Sequence, residues 1–549
     1  MVDRIKRYFN LEHGIKSATL LLTFTLLLSN VLGLLRNILL ASQATSLTQL
    51  DTYYAAFRLP DLIFNLLVLG SVSSAFIPVY AKVFKKKGTE EASKLANALL
   101  GTLIVTLTLC LIILYVLMPV LIPIMVAKFT VSQQQETINL ARIMLLSPLF
   151  FGFSYVVGAI LNSHKRFFSY SIAPLIYNVA IIIGALLLPY YGITAVAWSV
   201  VIGALLHFLI QVPSTLKIGF KFKLKFQLNS PEIKQIIKLM VPRAFSSGVA
   251  QFVLLGFTYI AASLSPGALT IYSLTNDFQT TPAILFGTSL AIALFPTLSD
   301  AVAENDHFKF QNYLKKSLII GLFLLIPLML IVYILRAQIM RLYIGLGHNT
   351  NWDDTIRSIN TLSYFSLSFV AQSFVQLLSR SYYALQDTRR PMYGAIIGAA
   401  VTIGLAVMLP HSSYFRIGSL YDVAGLAAAY SAGLWIQVFV LFLWLPRKWK
   451  GDMSLVWSRI LPITGLTLVS GFATWVTLRI VGNGLKLEPF IPVTVSGLST
   501  HTVVGLLVQG SVAGLVGIGL YVLLAYWFKF PEIEWLIKFR KETRANDQK

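Results

Sequence analysis

Long apolar runs dominate this sequence and restrict the chain to one broad architecture. Of its 549 residues, 56% are hydrophobic and only 12% are charged, whereas about a quarter are charged in an ordinary soluble domain. The mean hydropathy is +0.74. Because the hydrocarbon core of a bilayer offers the backbone no hydrogen-bonding partner, the helix is the default spanning element. The sequence therefore predicts an all-α polytopic membrane protein.

The apolar runs are long enough for about fourteen spanning helices of about 20 residues each. Their predicted limits are 17–42, 53–83, 95–125, 137–163, 168–188, 191–213, 238–263, 268–301, 313–342, 358–386, 391–410, 421–446, 456–480 and 505–529. With the N-terminus in the cytoplasm, 31 of the 44 Lys and Arg residues fall in cytoplasmic segments and seven in outer ones. This asymmetry follows the positive-inside rule and places both termini in the cytoplasm.

Ionisable side chains within the first apolar runs indicate a pathway for a polar solute. Arg36, Asp51, Arg58 and Asp61 lie in residues 30–78, a stretch that is otherwise almost wholly apolar. An ionisable group at bilayer depth costs at least about 2.5–3.5 kcal/mol, and it is tolerated where it faces a bundle interior or a water-filled cavity. In the alternative interpretation, the two arginines only pair with the two aspartates and hold the helices together.

Two pairs of similar segments indicate an internal duplication. The sequence around Pro78 resembles that around Pro296, and the segment that ends at Pro189 resembles the one that ends at Pro410. Spans 1–6 and 7–12 therefore form two predicted pseudo-symmetric six-helix lobes, as in transporters whose sites lie between repeats. The predicted divisions are an N-lobe, a basic cytoplasmic linker, a C-lobe, and two further C-terminal spans with a basic tail, at 1–213, 214–237, 238–446 and 447–549.

The net charge of +22 resides mostly in the short segments between apolar runs. We therefore expect no nucleic-acid partner, although a soluble protein of this charge would suggest one. In the linker, KIGFKFKLKF alternates Lys with apolar residues. This pattern fits a segment that lies on an anionic inner leaflet, and equally a plain basic connection.

The sequence lacks the signatures of enzyme chemistry. It has no P-loop pattern, no H-E-x-x-H and no Cys/His cluster, and its single cysteine, Cys110, lies within an apolar run. No Ser/His/Asp arrangement has a recognisable local signature. We expect a transporter rather than an enzyme, with no metal centre and no organic cofactor.

Several stretches resemble the MurJ family of lipid II flippases. They are GLLRNILLA at Gly33–Ala41, DTYYAAFRLPDL at Asp51–Leu62, AFIPVYAK at Ala75–Lys82 and SRSYYALQDTRRP at Ser379–Pro391. The resemblance implies a flippase that moves lipid II, an undecaprenyl-pyrophosphate-linked glycopeptide, to the outer leaflet of a bacterial cytoplasmic membrane by alternating access. It also implies that spans 13 and 14 hold the lipid tail. The alternatives are a flippase for another polyprenyl-pyrophosphate-linked glycan and a multidrug/cation antiporter of the same superfamily.

The resemblance also implies roles for residues of the first two spans. Arg36 matches the family's first-span arginine and is predicted to hold the pyrophosphate, because a guanidinium can bind phosphate through two bonds. Arg58 falls where the family has a basic residue, and Asp61 and Asn65 complete the predicted substrate-binding set. Asp51 matches an acidic residue near the outer end of span 2 and is predicted to close an outer gate.

The chain departs from the family pattern around the expected cavity. Where the family usually has two arginines and then a glutamate, this chain has Phe64, Asn65 and Leu69. In span 8, Asn276 and Asp277 stand where the family usually has Asp-Arg, and Asp277 is a second candidate for a gate or ion pair. Two explanations stay open: a divergent flippase with the same substrate, which we favour, or one for a different glycan.

We predict that the membrane potential or a Na⁺ gradient drives transport. An inside-negative potential favours outward movement of an anion by about 2.3 kcal/mol per charge per 100 mV. Gln386, Asp387 and Thr388 offer oxygen ligands for Na⁺ at the inner end of span 10, but their pattern also suits a helix-end turn, which we favour. The lipid-linked substrate and the bilayer are the expected partners, and the chain is expected to act as a monomer.

Overall fold

The computed structural model describes residues 15–69, 76–223, 225–227, 230–346, 351–417, 420–421, 423–483 and 503–535. Helices account for most of these residues. One short antiparallel hairpin pairs β1, Arg416–Ile417, with β2, Leu420–Tyr421. The predicted all-α membrane class is confirmed.

The chain divides into two compact units, Met1–Thr270 and Ile271–Lys549. The helices of the first unit are α1 Ile15–Gln43, α2 Leu47–Phe64, α3 Ile77–Met125, α4 Val131–Met144, α5 Ser147–Ser163, α6 Phe167–Tyr191, α7 Ile193–Leu209, α8 Val212–Lys217 and α9 Pro231–Leu264. A π-helical turn, Asn65–Leu69, continues α2. The first residues of α10, Ala268–Pro282, also belong to this unit.

The remainder of α10 opens the second unit, and a π-helical segment, Ala283–Thr288, follows it. The later helices are α11 Ser289–Ala303, α12 His307–Tyr343, α13 Trp352–Ser366, α14 Ser368–Ala384, α15 Arg389–Met408, α16 Ala424–Trp444, α17 Arg447–Lys450, α18 Ser454–Asn483 and α19 Val503–Trp527. The two C-terminal helices, α18 and α19, both pack against α12.

Within the described ranges, twelve helical segments are long and apolar enough to cross a membrane. The other two predicted spans differ from these for separate reasons. Span 53–83 falls on α2, the π-helical turn and residues 70–75, which lie outside the described residues. Span 238–263 falls on α9, where the side chains of residues 241–247 lie outside the described residues and Gly248–Leu264 is described as an apolar helix. Helix lengths therefore do not confirm the predicted count of fourteen.

Helix α9 packs within the first unit although the predicted repeat assigns it to the second lobe. It contacts α3 and the π-helical turn after α2. At its start, Ser230 caps the helix, and Lys87 of α3 donates to Glu232 at 3.0 Å. The backbone N–H of Glu232 and the Lys87 ammonium together hold the pKa of this carboxyl below its ordinary value. The predicted lobe boundaries stay predictions about the repeat.

Turns between helices recur in a way that agrees with the predicted duplication. Lys165 and Gln386 both adopt left-handed backbone conformations, with φ of 56° and 57°. The N–H of the following residue bonds a carbonyl five residues earlier, Arg166 to Leu161 and Asp387 to Tyr382, which is the Schellman pattern of a helix end. The two turns lie at equal distances from the prolines that close the second pair of repeated segments.

Each unit has its own buried core. In the first unit, the core lies where α3, α5 and α9 meet, and it includes Leu99, Ile160 and Ile236. In the second unit, it surrounds α12 and includes Phe310 and Leu318.

Candidate functional site

Neutral amides orient the Arg36 guanidinium. Arg36 is half-buried on α1; its Nε donates to Asn37 Oδ1 at 3.0 Å and its Nη1 to Asn178 Oδ1 at 3.3 Å. Asn178 lies on α6 and is itself fixed, because its Nδ2 donates to the carbonyl and hydroxyl oxygens of Ser29 at 3.2 and 3.1 Å. An amide carbonyl orients a cation without neutralising its charge. The arrangement therefore presents a preorganised guanidinium within a membrane-spanning bundle.

Tyr177 interacts electrostatically with Arg36 of α1 and with Asp61 of α2. Tyr177 precedes Asn178 on α6, and its hydroxyl lies within electrostatic range of both Arg36 and Asp61. Three helices, α1, α2 and α6, thus bring a cation, an anion and two hydrogen-bonding side chains to one region of the first unit. This is the candidate functional site.

Sequence analysis did not predict the two α6 residues of this site. Asn178 is 7% exposed within an apolar helix, and a buried amide requires hydrogen-bonding partners. A lone Asn in a predicted span was therefore the available signal. The partner could not be named, because α6 lies about 140 residues from Arg36 in the chain.

Arg58 binds a different helix from Arg36. Its Nε donates to Thr258 Oγ1 of α9 at 3.0 Å, and that buried hydroxyl donates in turn to the Leu254 carbonyl at 2.8 Å. Asn65 opens the π-helical turn, and its Nδ2 donates to the Asp61 carbonyl at 2.9 Å. The described bond of Asn65 is thus a local helix contact. The substrate-binding roles of Arg58, Asp61 and Asn65 stay predictions.

Phe64 stands where the family usually has an arginine, and it packs as an aromatic core residue. Its ring centroid lies 4.9 Å from that of Phe151 and 5.4 Å from that of Tyr155. An arginine at this position would place a charge among these rings. The aromatic neighbours of Phe64 therefore suit the residue that this chain has rather than the arginine usual in the family. The side chain of Leu69 lies outside the described residues.

Asp51 binds the N-terminus of α10. It is 2% exposed; its Oδ2 accepts from Gly267 N at 2.7 Å, and its Oδ1 accepts from Thr270 N and Thr270 Oγ1 at 2.8 and 2.7 Å. The first turn of a helix has unpaired N–H groups and a partial positive charge, so a carboxylate is stabilised there. Asp51 thus ties α2 to the α9–α10 turn. Its role as a gate stays a prediction.

Three polar residues near the end of α10, Asn276, Asp277 and Gln279, lie in the second unit. Gln279 is fully buried; its Nε2 donates to Asn276 Oδ1 at 3.1 Å, and its Oε1 accepts from Ser368 Oγ at 3.1 Å. Asp277 is half-buried, and its carbonyl accepts from Thr280 Oγ1 at 2.9 Å. Sequence analysis named Asp277 but missed the Gln279–Ser368 contact, which connects α10 with α14.

The predicted Na⁺ ligands form a helix-end turn in the structure. Gln386 is the left-handed residue of the turn that ends α14. Asp387 Oδ1 accepts from the N–H groups of Arg389 and Arg390 at 3.0 and 3.1 Å, and its Oδ2 lies 3.4 Å from Arg390 Nη1. No group of three or more His, Cys, Asp and Glu side chains that could hold a metal ion occurs in the described parts of the chain. An ion site at Gln386, Asp387 and Thr388 stays a prediction.

Replacing Gln386 with glycine distinguishes the two interpretations of this turn. A side chain in the left-handed region costs about 1 kcal/mol, which glycine avoids. For a turn, we expect Gln386→Gly to raise the free energy of unfolding by about 0.5–1 kcal/mol and to leave the Na⁺ dependence of transport unchanged. Gln372→Gly on α14, in regular helix, is the control and is expected to lower stability by about 1 kcal/mol. Loss of Na⁺ dependence in Gln386→Gly alone would support the ion site.

Two further arginines, Arg142 and Arg380, lie in predicted spans. The guanidinium carbon of Arg142 lies 4.5 Å from the centre of the Tyr115 ring. Arg380 is half-buried on α14, and its Nε has no hydrogen-bond partner among the described residues. Neither contacts the candidate site residues named above.

A protein-family model described as "Lipid II flippase MurJ" matches residues 21–495. Curated relatives agree with this match. A lipid II flippase MurJ of Burkholderia cenocepacia is 26% identical and covers 84% of this chain and 90% of its own length. A probable lipid II flippase MurJ of Bdellovibrio bacteriovorus is 30% identical and covers 72% of this chain and 76% of its own length. Together with the apolar helices, these matches make the chain a multi-pass bacterial membrane protein.

Solved structures show the same fold. A structure entitled "Lipid II flippase MurJ, inward closed conformation" has a TM-score of 0.74 and 23% identity, and covers 93% of this chain and 98% of its own. An inward-facing multidrug transporter of the MATE family has a TM-score of 0.64 and 13% identity, covering 82% and 99%. The named activity of the matching family is transport rather than catalysis. The chain therefore belongs to the lipid II flippase MurJ family.

Proposed function

We propose that this protein moves lipid II from the inner to the outer leaflet of the bacterial cytoplasmic membrane by alternating access. The observation that carries the proposal is the Arg36 guanidinium, held by Asn178 within a membrane-spanning bundle. Family membership supplies the substrate class, and the site supplies chemistry that suits its pyrophosphate.

The physical need for such a site follows from the substrate. A pyrophosphate and its attached glycopeptide cannot enter hydrocarbon without losing their hydration, and an unpaired charge there is strongly disfavoured. A guanidinium binds phosphate oxygens through two parallel bonds, which replace part of the lost hydration. Two described contacts of Arg36 go to amide oxygens of Asn37 and Asn178, and we propose that phosphate oxygens of the incoming anion replace them.

Asp51 supports an alternating mechanism with a closed state at this end of α2. In the predicted repeat, the residues that Asp51 binds belong to the C-lobe, and Asp51 belongs to the N-lobe. Its three accepted hydrogen bonds are therefore proposed to lock the outer side. Rocking of the lobes would require these bonds to break and re-form in each cycle.

Asp51→Asn is expected to weaken this lock. The amide nitrogen of asparagine cannot accept a hydrogen bond, so at least one charge-assisted bond is lost, at about 1.5–3 kcal/mol. The population of the opened state should therefore rise about 10–150-fold. With Cys110→Ala as background, labelling of Ala55→Cys by a membrane-impermeant maleimide measures opening, because Ala55 is fully buried.

The control for this labelling experiment is Asp353→Asn, which removes an exposed carboxylate from α13. It should leave the labelling rate of Ala55→Cys within about twofold of the background protein. Equal labelling in Asp51→Asn and Asp353→Asn would exclude Asp51 as a gate residue.

Energy coupling, topology and assembly complete the proposal. The membrane potential, alone or with Na⁺, drives the cycle, because it favours outward movement of the anion. Both termini lie in the cytoplasm, as the distribution of Lys and Arg supports. Helices α18 and α19 hold the polyprenyl tail, and the protein acts as a monomer.

A second candidate substrate is another polyprenyl-pyrophosphate-linked glycan. The observation in its favour is the aromatic packing of Phe64 at a usual arginine position. Fewer cations would suit a headgroup with less negative charge than the lipid II peptide carries. The pyrophosphate contact with Arg36 is common to both candidates.

Rescue of a bacterial strain depleted of its own lipid II flippase tests the proposed function. We expect the wild-type gene to restore growth and Arg36→Ala to fail at equal membrane abundance. Failure of the wild-type protein, with normal membrane insertion, would contradict lipid II as the substrate and favour the second candidate.

A further inference from the structure

A basic groove lies between α3 and the segment that leads from α8 towards α9, of which residues 219–223 and 225–227 are described. Helix α3 contributes Ser93, Lys94 and Asn97 to its walls, and the segment contributes Lys221, Lys223 and Lys225. Its volume is about 620 Å³. None of these residues belongs to the candidate transport site.

Hydrogen bonds hold the segment against α3 in a defined register. Asn97 is 5% exposed; its Nδ2 donates to the Lys221 carbonyl at 2.9 Å, and its Oδ1 accepts from Lys223 N at 2.8 Å. The Asn97 side chain therefore donates to one backbone carbonyl of the segment and accepts from one backbone N–H, as a neighbouring β-strand would. Gly101, one turn later, allows the close approach, because a Cβ there would lie 2.6 Å from the Lys225 carbonyl.

The alternation of the segment separates its apolar and basic side chains. Phe220 is buried in the core of the first unit, and Phe222 packs against that core. Lys221 and Lys223, which flank Phe222, are exposed, and so is Lys225. Core packing of the two phenylalanines thus fixes the part of the segment that carries the exposed lysines.

The row of lysines carries an excess of positive charge. Lys94 lies 3.1 and 2.8 Å from the carboxylates of Glu90 and Glu91, so its charge is already offset. Lys221, Lys223 and Lys225 have no ion pair among the described residues. Glu90, which also lines the groove, is the acidic residue that a bound anion would face.

We propose that this groove binds the headgroup of an anionic phospholipid. Three lysines that line one groove attract a phosphate diester, and the hydroxyl of Ser93 offers an additional hydrogen bond. The neighbouring Phe226 is 53% exposed, and an exposed aromatic ring beside lysines is typical of segments that lie at a membrane interface. These features favour a lipid over a soluble phosphate, and the proposal is independent of the transported substrate.

Lipid retention by the purified full-length protein tests this site. Native mass spectrometry in detergent would count bound phosphatidylglycerol and phosphatidylcholine after exposure to an equimolar mixture. We expect the wild type to retain phosphatidylglycerol selectively, and Lys221→Gln/Lys223→Gln/Lys225→Gln to bind it at least about tenfold more weakly. The control, Lys82→Gln/Lys85→Gln/Lys86→Gln, removes the same charge from exposed α3 positions outside the groove and should retain selectivity.

Asn97→Ala tests whether lipid selectivity depends on the fixed position of the segment or only on its net charge. It keeps every lysine but releases the segment, so it should also lose selectivity for phosphatidylglycerol, while a circular-dichroism spectrum like that of the wild type shows that the helices persist. Equal loss in the control triple variant, or full retention in the groove variant, would overturn the proposal. Displacement of the lipid by millimolar glycerophosphoglycerol, which lacks acyl chains, would overturn the lipid source in favour of a soluble phosphate ester.

Discussion

Arg36→Ala is expected to slow lipid II flipping by about 10–150-fold without unfolding the protein. The estimate corresponds to one charge-assisted hydrogen-bonding contact of about 1.5–3 kcal/mol to the pyrophosphate. Arg36→Lys should recover part of the rate, because an ammonium keeps the charge but loses the planar, two-bond geometry. Transport of labelled substrate in proteoliposomes measures both variants.

The control for Arg36 is another arginine of the first unit. Arg142→Ala removes a guanidinium that stacks on Tyr115 and contacts none of the residues placed at the site. Its rate should stay within about twofold of the wild type at equal protein content. A comparable loss in both alanine variants would point to a general need for positive charge rather than to a phosphate contact at Arg36.

Glu532→Gln is expected to cause the largest loss of stability. Glu532 is fully buried, and its two carboxylate oxygens accept from Nε and Nη2 of Arg459, both at 2.7 Å. Removal of one partner from a buried ion pair typically costs about 3–5 kcal/mol, because the other charge is left uncompensated. Arg459 retains 20% exposure of its side chain, so we expect about 2–4 kcal/mol and a lower midpoint of thermal unfolding.

Two further variants show whether the loss of stability comes from the broken ion pair or from the loss of any carboxylate in this region. Glu534→Gln changes an exposed glutamate two residues away and should alter the unfolding free energy by less than about 0.5 kcal/mol. Arg459→Met/Glu532→Leu removes both charges and should recover most of the stability. If Glu532→Gln unfolds at the same temperature as Glu534→Gln, the pair does not stabilise the C-terminal helices.

The sequence was sufficient to predict the fold class and to place Arg36 within a membrane-spanning helix. The fold class follows from apolar runs of span length and from the distribution of Lys and Arg. Both are properties of local composition and can be read from one sequence. The predicted count of fourteen spans stays a prediction, because residues 70–75 and the side chains of residues 241–247 lie outside the described residues.

The partners of the polar residues could not be predicted from sequence. Asp51 was expected at a gate, and its described partners at the N-terminus of α10, more than 200 residues away in the chain, could not be named from the sequence. Asn178 and Glu532 drew no attention, since a single amide or carboxylate has no local pattern that names its partner. By contrast, Gln386 and Asp387 form a local turn, and sequence analysis had already favoured that interpretation.

Reconstituted transport by the purified wild-type protein tests the central claim most directly. Fluorescent lipid II would be placed in the inner-equivalent leaflet of proteoliposomes with an imposed inside-negative potential, and its appearance in the opposite leaflet would be followed with a membrane-impermeant quencher. We predict a rate well above that of protein-free liposomes and of Arg36→Ala. A wild-type rate equal to that of protein-free liposomes, or equal to that of Arg36→Ala, would contradict the assignment of Arg36 as the pyrophosphate-binding residue of a lipid II flippase.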